Sequence, residues 1–198
     1  MHNLFTKEQN EKISTFIDLA LEFNKTHNIF SRTDSQEVFH KDILDCHPIT
    51  QYLKKEKTAL DLGSGGGFPG ILLSITKPKN KIYLIESSAK KCYFLRSVAH
   101  KLSLNNTIII NEKITTNNTL GTFDIITARA FASIKNIIDL TQNNTNNKSK
   151  YVLLKGKEQT IKQELKDINK NTYICEIIKQ ELGPEERHVV LIREKWTK

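Results

Sequence analysis

The sequence predicts an α/β protein in which a mostly parallel sheet follows a helical N-terminal segment. Apolar residues recur at helical spacing along residues 1–55. Short apolar runs then alternate with helical stretches over residues 56–198, and this alternation is typical of a parallel sheet. Two consecutive apolar runs near the end indicate an antiparallel finish. We therefore expect a helical segment at 1–55 that packs on a sheet domain at 56–198.

Two helices are predicted before the first strand. Thr6 and Gln9 have the spacing of a capping box, and Asp34 offers a second N-cap. Further along, apolar runs predict strands and amphipathic stretches predict helices. The predicted strands are 58–62, 81–85, 107–110, 123–128, 151–154, 173–182 and 189–193, and the later helices include 89–102, 133–140 and 158–168. A short turn at Gly183 and Pro184 would join the last two strands.

The most informative stretch begins at residue 59 and reads A-L-D-L-G-S-G-G-G-F-P-G. Asp61 lies at the end of the first predicted strand, where open α/β sheets bind their ligands. Gly63 and Gly65 allow positive φ and keep Cβ atoms out of the path of a ligand. Pro69 suits the first turn of the helix that follows. This order of residues predicts a nucleoside site.

The same stretch discriminates between kinds of nucleoside. A dinucleotide site needs a small residue at the third position of G-x-G-x-x-G, where this chain has Phe68. A P-loop needs Gly-Lys-Ser/Thr, which does not follow the glycines. The Asp61 carboxylate would repel pyrophosphate but would attract, directly or through water, the ammonium group of a methionine moiety. The sequence therefore favours S-adenosylmethionine, with a plain strand–helix turn or another nucleotide as the alternative.

Positions after the next three predicted strands extend this candidate cofactor site. Glu86 follows the second strand and is either an acceptor for both ribose hydroxyls or a solvated carboxylate. Ile114 and Thr115 follow the third strand, where a side chain would cover adenine and backbone N–H groups would read its edge. Arg129 follows the fourth strand, and it either stacks on a base, holds phosphate or forms a structural ion pair.

Charge and cysteine content limit the partners. Residues 51–150 carry fifteen Lys or Arg and six Asp or Glu, a net charge of +9, whereas residues 1–50 carry five and eight. This excess indicates either a nucleic-acid substrate or a lysine-rich composition that serves solubility. Three scattered cysteines without C-x-x-C predict neither disulfides nor a zinc site. Without a secretory signal or an apolar run of about 20 residues, we expect a cytoplasmic protein with no membrane contact and no metal.

The residues at the end of the fourth predicted strand limit which chemical group can accept the methyl group. It reads T-A-R-A around Arg129, without the Asn/Asp-Pro-Pro-aromatic turn of exocyclic-amine methylation or the aspartate of ribose 2′-O methylation. Cys46, Cys92 and Cys175 are predicted away from the pocket edge, which disfavours chemistry at a pyrimidine carbon. A ring nitrogen with a free lone pair, such as guanine N7, needs no base, so alignment would be the main contribution of the protein.

Seven segments then carry a resemblance to a known family. In chain order they read F-N-K-T-H-N-I, I-L-D-C, D-L-G-S-G-G-G-F-P-G-I, K-K-C-Y-F-L-R, A-R-A-F-A-S, L-K-G and E-R-H-V-V-L-I. They are similar to those of the bacterial RsmG family, also called GidB, whose members methylate N7 of a guanine in 16S ribosomal RNA. The resemblance covers almost the whole chain, and R-A-F-A-S and the pattern R-H-x-V-x-I distinguish this family from other class I methyltransferases.

The resemblance implies a fold, a partner and a methylation site. It implies a class I S-adenosylmethionine-dependent methyltransferase, Rossmann-like, with a seven-stranded mostly parallel sheet behind an N-terminal helical extension. The implied partner is 16S rRNA or the small ribosomal subunit, with guanine 527 as the expected position. We expect a monomer.

The resemblance also assigns candidate residues. The cofactor candidates are Gly63, Phe68, Ile114, Thr115 and Arg129 by the family pattern, joined by Asp61, Gly65 and Glu86 from the argument above. Arg129 is also the candidate catalytic residue. Lys155, Arg187 and His188 are the candidates for RNA contact, although His188 equally suits a strand start satisfied by the backbone.

The departures from the family pattern concern the RNA side more than the cofactor pocket. Glu86 replaces the commoner aspartate and keeps the carboxylate. Lys41 and Asp42 stand where a basic residue and histidine are usual, with a histidine shifted to His40, and Lys113 replaces arginine.

Three functions stay open. The first is an RNA guanine-N7 methyltransferase, and the second is a methyltransferase of another RNA, a small molecule or a protein side chain. The third is a non-catalytic ribosome assembly factor that keeps the fold.

Overall fold

A computed structural model describes residues 4–55, 57–181 and 185–195. The turn predicted at Gly183 and Pro184 lies outside the described residues. The remaining elements follow the predicted order, helical first and then alternating between strand and helix.

One sheet of seven strands forms the centre of the fold. The strands are β1 Thr58–Leu62, β2 Lys81–Ile85, β3 Thr107–Ile110, β4 Ile125–Arg129, β5 Lys150–Lys155, β6 Tyr173–Lys179 and β7 His188–Glu194. Their order across the sheet is β3-β2-β1-β4-β5-β7-β6. The first five strands are parallel, whereas β7 runs antiparallel to both β5 and β6. The mostly parallel sheet with an antiparallel finish is thus confirmed.

The fourth strand begins two residues later than predicted and includes Arg129 as its last residue. The two residues before it have other partners. Phe123 donates its N–H to the carbonyl of Asn144, and Asp124 accepts hydrogen bonds from the backbone and hydroxyl of Thr58. Because these two residues anchor the loop to neighbouring segments, pairing between β1 and β4 starts only at Ile125.

The helices are α1 Lys7–His27, α2 Ser35–Val38, α3 Leu44–Cys46, α4 Gly70–Thr76, α5 Ala89–Lys101, α6 Ile134–Thr141 and α7 Glu158–Glu164. The capping box is present at the start of α1, where Thr6 and Gln9 exchange hydrogen bonds. Asp34 caps α2 as predicted. The second predicted helix is interrupted, because a π-helical turn, Phe39–Ile43, separates α2 from α3. Such turns are frequent at functional sites, and this one contains Asp42.

The N-terminal helices share a hydrophobic core with the sheet. Phe16 of α1 is completely buried, and it belongs to the same cluster as Ile71 of α4 and Leu84 of β2. A second cluster on the other side of the sheet includes Ile126 and Ile137. The boundary between a helical segment at 1–55 and a sheet domain at 56–198 stays a prediction. In the described parts of the chain, no helix has the length and apolar character needed to span a bilayer.

Candidate active site

The glycine-rich turn between β1 and α4 lies at the carboxyl end of the parallel sheet. Gly63, Gly65 and Gly67 have φ values of 62°, 53° and 95°. The turn is held to the next strand because the N–H groups of Gly63 and Ser64 both donate to the carbonyl of Ile85, at 2.9 and 3.2 Å. The turn is therefore fixed by its own backbone and by the end of β2.

The three glycines have different surroundings. An added Cβ at Gly67 would lie 2.7 Å from Cγ1 of Ile71, and one at Gly63 would lie 2.5 Å from Cδ2 of Phe131. An added Cβ at Gly65 would meet no atom nearer than the Gly63 carbonyl oxygen, at 3.6 Å. The open side of the turn is therefore at Gly65, while the Phe131 ring covers Gly63.

Glu86 lies beside that open side. One carboxylate oxygen, Oε2, accepts the N–H of Gly65 at 3.0 Å, and Oε1 accepts the N–H of Ser88 at 2.8 Å. The residue is buried. Oε1 also accepts the hydroxyl of Ser87 at 3.4 Å, whereas Oε2 can accept a second hydrogen bond, so this fixed carboxylate retains acceptor capacity for a hydroxyl group.

Asp61 lies behind the turn and is completely buried. Its Oδ2 accepts the N–H of Gly70 at 3.1 Å, which anchors the start of α4. Its Oδ1 has no hydrogen-bond partner among the described residues. Burial raises the pKa of Asp61 to about 7. An unpartnered buried oxygen at this point suits an ammonium ligand or a bridging water.

Ile114 and Thr115 lie on the loop after β3. Ile114 is buried in the second hydrophobic cluster. Thr115 is exposed, and both its N–H and its hydroxyl donate to Oδ1 of Asn118. The backbone donor proposed to read an adenine edge is thus engaged within the loop.

Arg129 is held by the N-terminal segment. Its guanidinium donates to Oδ1 of Asp42, to Oδ2 of Asp45 at 3.1 Å and to the carbonyl of Lys41 at 3.1 Å. The same group lies 5.4 Å from the ring centroid of Phe68. The ion-pair alternative for Arg129 is therefore present in the structure, and it joins β4 to the π-helical turn.

Phe68 connects the glycine turn to this charged group. Its ring packs on Phe16 at a centroid distance of 4.9 Å, and its exposed fraction is small. The Arg129 guanidinium also lies over this ring. The aromatic side chain that argues against a dinucleotide site thus forms a link between α1, the turn and β4.

The three candidates for RNA contact differ in their exposure. Lys155 is 14% exposed, and its ammonium donates to Glu164 at 2.8 Å and to the carbonyl of Ala132 at 2.7 Å. His188 is buried, with Nδ1 2.7 Å from the carbonyl oxygen of Gly156. His188 therefore has the backbone partner of the strand-start alternative.

Arg187 is the more accessible of these candidates, with 33% of its side chain exposed. Its Nε lies 3.3 Å from Oδ1 of Asp45, and its other end pairs with Glu185. It therefore faces the same aspartate as Arg129.

These charged groups surround a cavity of about 280 Å³, which we call the basic cavity. Its lining includes Arg32, Asp45, Arg129, Lys155, Gly156 and Arg187. Arg32 pairs with Asp42 at 3.0 Å, so Asp42 lies between two guanidinium groups. Burial raises the pKa of the Asp45 carboxyl, and the neighbouring Arg129 opposes that rise. The cavity thus combines four cations with one carboxylate.

The cysteines provide no nucleophile at this site. Cys46 is completely buried in α3, and burial raises the pKa of its thiol well above the ordinary value. Cys92 and Cys175 are free thiols whose pKa is also raised by burial, and Sγ of Cys92 donates to the backbone carbonyl of Glu86. Within the described ranges, no group of three acidic, histidine or cysteine side chains could hold a metal ion.

Sequence reasoning missed Asp42, Asp45 and Phe131. The two aspartates are three residues apart in a helical region, so they share a face, and this spacing was the available signal. Nothing local indicated that Phe131 would cover Gly63, because that contact joins positions 68 residues apart.

The sequence-predicted residues fall into two groups. Gly63, Gly65, Glu86 and Asp61 come together around the glycine turn, while Lys155 and Arg187 line the basic cavity. The groups meet at Arg129, since this side chain covers Phe68 and also lines the cavity. The open side at Gly65, the Glu86 acceptors and the orphan Oδ1 of Asp61 fit the ribose and amino acid parts of S-adenosylmethionine.

This sheet order and glycine turn define the class of S-adenosylmethionine-dependent methyltransferases, and comparisons with known proteins agree. A methyltransferase from Aquifex aeolicus, described as SAM dependent, superimposes with a TM-score of 0.65 at 17% identity, covering 88% of this chain and 98% of that one. At that identity the likeness shows the fold alone, and it confirms the predicted class I fold.

The family is shown by sequence. The model of the GidB family, described as rRNA small subunit methyltransferase G, matches residues 9–190. A ribosomal RNA small subunit methyltransferase G from Brachyspira hyodysenteriae is 35% identical over 188 residues, covering 94% of this chain and 91% of the relative. One from Rickettsia bellii is 37% identical over 183 residues, 92% of each. The chain belongs to the rRNA small subunit methyltransferase G family.

Proposed function

We propose that this protein transfers the methyl group of S-adenosylmethionine to N7 of a guanine in 16S rRNA of the small ribosomal subunit, at guanine 527. The family match over residues 9–190 carries the assignment to small-subunit rRNA. The structure supports the proposal because the glycine turn and the basic cavity meet at one side chain, Arg129.

The methyl donor is S-adenosylmethionine, which supplies an electrophilic methyl group on a sulfonium centre when bound. On this proposal Glu86 accepts the ribose hydroxyls, and the Gly65 face admits the ligand without a steric clash. Asp61 meets the ammonium group directly or through water. Phe68, Ile114, Thr115 and Arg129 would complete the contacts with the cofactor.

The acceptor assignment rests on what the described site lacks. Asp42 is paired with Arg32 and Arg129, Asp45 is paired with Arg129 and Arg187, and Cys46 is a buried thiol, so these three described groups beside Arg129 are not poised to remove a proton from a base. Guanine N7 carries a lone pair and loses no proton on methylation. Binding and alignment of the two reactants can therefore supply the catalysis.

The helix α5 supports an RNA substrate. Its thirteen residues include Lys90, Lys91, Arg96, His100 and Lys101 and contain no Asp or Glu. The helix starts beside the candidate cofactor site, because the N–H of its cap Ser88 donates to Glu86. A basic helix at this position suits phosphate contacts.

We also propose that the protein acts as a monomer in the cytoplasm.

Nucleoside mapping tests the proposal. 16S rRNA from cells that lack this protein should lose 7-methylguanosine at one position, and the wild-type gene should restore it. The product should also form in vitro from small subunits or 16S rRNA with S-adenosylmethionine. An unchanged rRNA would contradict the proposal.

Two further measurements separate the alternatives. Substrate affinity that is nearly independent of salt between about 50 and 200 mM would favour a small molecule, since phosphate contacts are strongly salt-dependent. Calorimetry that detects no binding of S-adenosylmethionine would favour a non-catalytic assembly factor.

A further inference from the structure

Asp45 is the acid among the residues that line the basic cavity. Its side chain is 7% exposed, and its Oδ2 accepts a hydrogen bond from Nη1 of Arg129 at 3.1 Å. Its Oδ1 has no hydrogen-bond partner among the described residues, although Nε of Arg187 lies 3.3 Å away. A buried acceptor without a hydrogen bond is costly, so this oxygen points to a ligand that brings N–H groups.

The neighbouring Asp42 differs from Asp45 in its hydrogen bonds. Its Oδ1 accepts from Arg129 and from Nη2 of Arg32, and its Oδ2 accepts from Nε of Arg32 at 3.0 Å. Both of its oxygens are thus occupied by protein donors, and it is not among the cavity-lining residues. The two aspartates belong to one ion-pair network, but of their four oxygens only Oδ1 of Asp45 accepts no hydrogen bond from the described residues and has only the ion pair with Arg187.

We propose that Asp45 recognises the target guanine by accepting hydrogen bonds from its N1–H and N2 amino groups while the base lies in the basic cavity. This inference rests on the proposed function. Guanine presents these two donors on the edge opposite N7, so a carboxylate there leaves N7 free to face the methyl donor. Adenine has an acceptor at N1 and no amino group at C2, and it therefore cannot make these bonds.

The other walls of the cavity suit the rest of the nucleotide. Arg32, Arg129, Lys155 and Arg187 line the cavity with positive charge, which suits the phosphates that flank a flipped-out nucleotide. The volume of about 280 Å³ is near the lower end of small-ligand pockets, roughly 300–1,000 Å³. One base fits such a space better than a longer segment of RNA.

Inosine at the target position tests the inference, because inosine lacks the N2 amino group but keeps N7, O6 and N1–H. With the wild-type enzyme we expect kcat/KM for the inosine RNA to be about 10- to 100-fold below that for the guanosine RNA, the range for one hydrogen bond to a charged group. Asp45→Ala should lower kcat/KM for guanosine and bring the ratio of the two substrates close to one.

Asp42→Ala is the matched control. Each variant removes one of two carboxylates from Arg129, so both disturb the same network. We expect Asp42→Ala to lower both activities by the same factor and to keep the wild-type preference for guanosine. Calorimetry with S-adenosylmethionine and a melting curve for each variant separate a cofactor or folding defect from a defect in base recognition.

Two results would overturn the inference while the proposed function stands. One is equal kcat/KM for the two RNAs with the wild-type enzyme, which is decisive even if Asp45→Ala does not fold. The other is an Asp45→Ala variant that loses activity but keeps the wild-type ratio, since that result shows a positioning role only. Absence of 7-methylguanosine from the wild-type reaction would instead overturn the proposed function, and the inference with it.

Discussion

The glycine turn and the basic cavity are adjacent, yet they are built in different ways. The turn uses consecutive residues whose backbone conformation is fixed by glycines and by hydrogen bonds to the end of β2. The cavity uses side chains from segments far apart in sequence, joined by ion pairs such as Arg129–Asp42 and Arg187–Asp45. The cofactor half of the site is therefore local and steric, whereas the substrate half is long-range and electrostatic.

This difference predicts different weaknesses. A change of volume should damage the turn, while a change of charge should damage the cavity. If a change of charge damaged the turn, or a change of volume damaged the cavity, the two halves of the site would not be separate in this way.

The largest expected effect is on stability, from Arg129→Ala. The substitution leaves Asp42 and Asp45 with one guanidinium less, and both carboxylates are buried. Removal of one partner from a buried ion pair costs about 3–5 kcal/mol. We expect the free energy of unfolding, measured by urea denaturation, to fall by an amount in that range.

Lys135→Ala is the control for this experiment. Lys135 pairs with Asp139 at 2.5 Å, but both side chains are about half exposed. Exposed pairs contribute about 0–1 kcal/mol, so this variant should be nearly as stable as the wild type. An Arg129→Ala protein as stable as the control would show that the network has little structural role and would favour a contact between Arg129 and a ligand.

The second effect is a dependence of stability on pH that originates in the turn. Burial raises the pKa of Asp61 to about 7 in the folded protein, above about 3.9 in the unfolded chain. The contribution of the Asp61 carboxyl to the free energy of unfolding is therefore fully present below about pH 4, and it is lost as the pH rises to about 7. The free energy of unfolding of the wild type, relative to Asp61→Asn, should fall by about 2–4 kcal/mol over that range. A constant difference would show that Asp61 is ionised throughout.

The third effect is on cofactor binding and compares two glycines. Gly65 and Gly121 both have positive φ, 53° and 82°, and an added Cβ clashes at neither. Alanine at either position should cost about 1–2 kcal/mol of stability through the left-handed backbone. Only Gly65→Ala adds a methyl group on the residue whose N–H donates to Glu86, so we expect calorimetry to show about 10- to 100-fold weaker binding of S-adenosylmethionine for that variant alone, about 1.4–2.8 kcal/mol. Equal affinities would place the ligand elsewhere.

The same contrast explains what could be predicted from the sequence. The order of strands and helices along the chain, the capping box of α1 and the glycine turn were predictable, because each depends on neighbouring residues or on a regular alternation. The position of Glu86 after β2 followed from the same logic. The start of β4 was predicted two residues early, since the partners of Phe123 and Asp124 lie in distant segments.

The charged half of the site could not be assembled from the sequence. The Arg129–Asp42 contact spans 87 positions, and no local pattern indicates which of many charged residues will pair. The interrupted second helix was missed for a related reason. Its N-cap Asp34 and its apolar spacing predict a continuous helix, but the π-helical turn Phe39–Ile43 lies between α2 and α3.

The smallest expected effect concerns Lys155, which was a candidate for RNA contact. Its ammonium donates to Glu164, and Oε2 of Glu164 also accepts the N–H of Ile134. Because the charge is mostly buried and already neutralised, we expect Lys155→Met to leave the salt dependence of RNA affinity unchanged.

Lys90→Met on the basic helix α5 is the comparison, since Lys90 is exposed. Loss of one phosphate contact should reduce the slope of log K against log salt by about 0.7–0.9. Fluorescence anisotropy between about 50 and 200 mM salt measures both slopes. If Lys155→Met reduces the slope as much as Lys90→Met does, the lysine leaves Glu164 to bind phosphate, and the basic cavity rearranges when RNA binds.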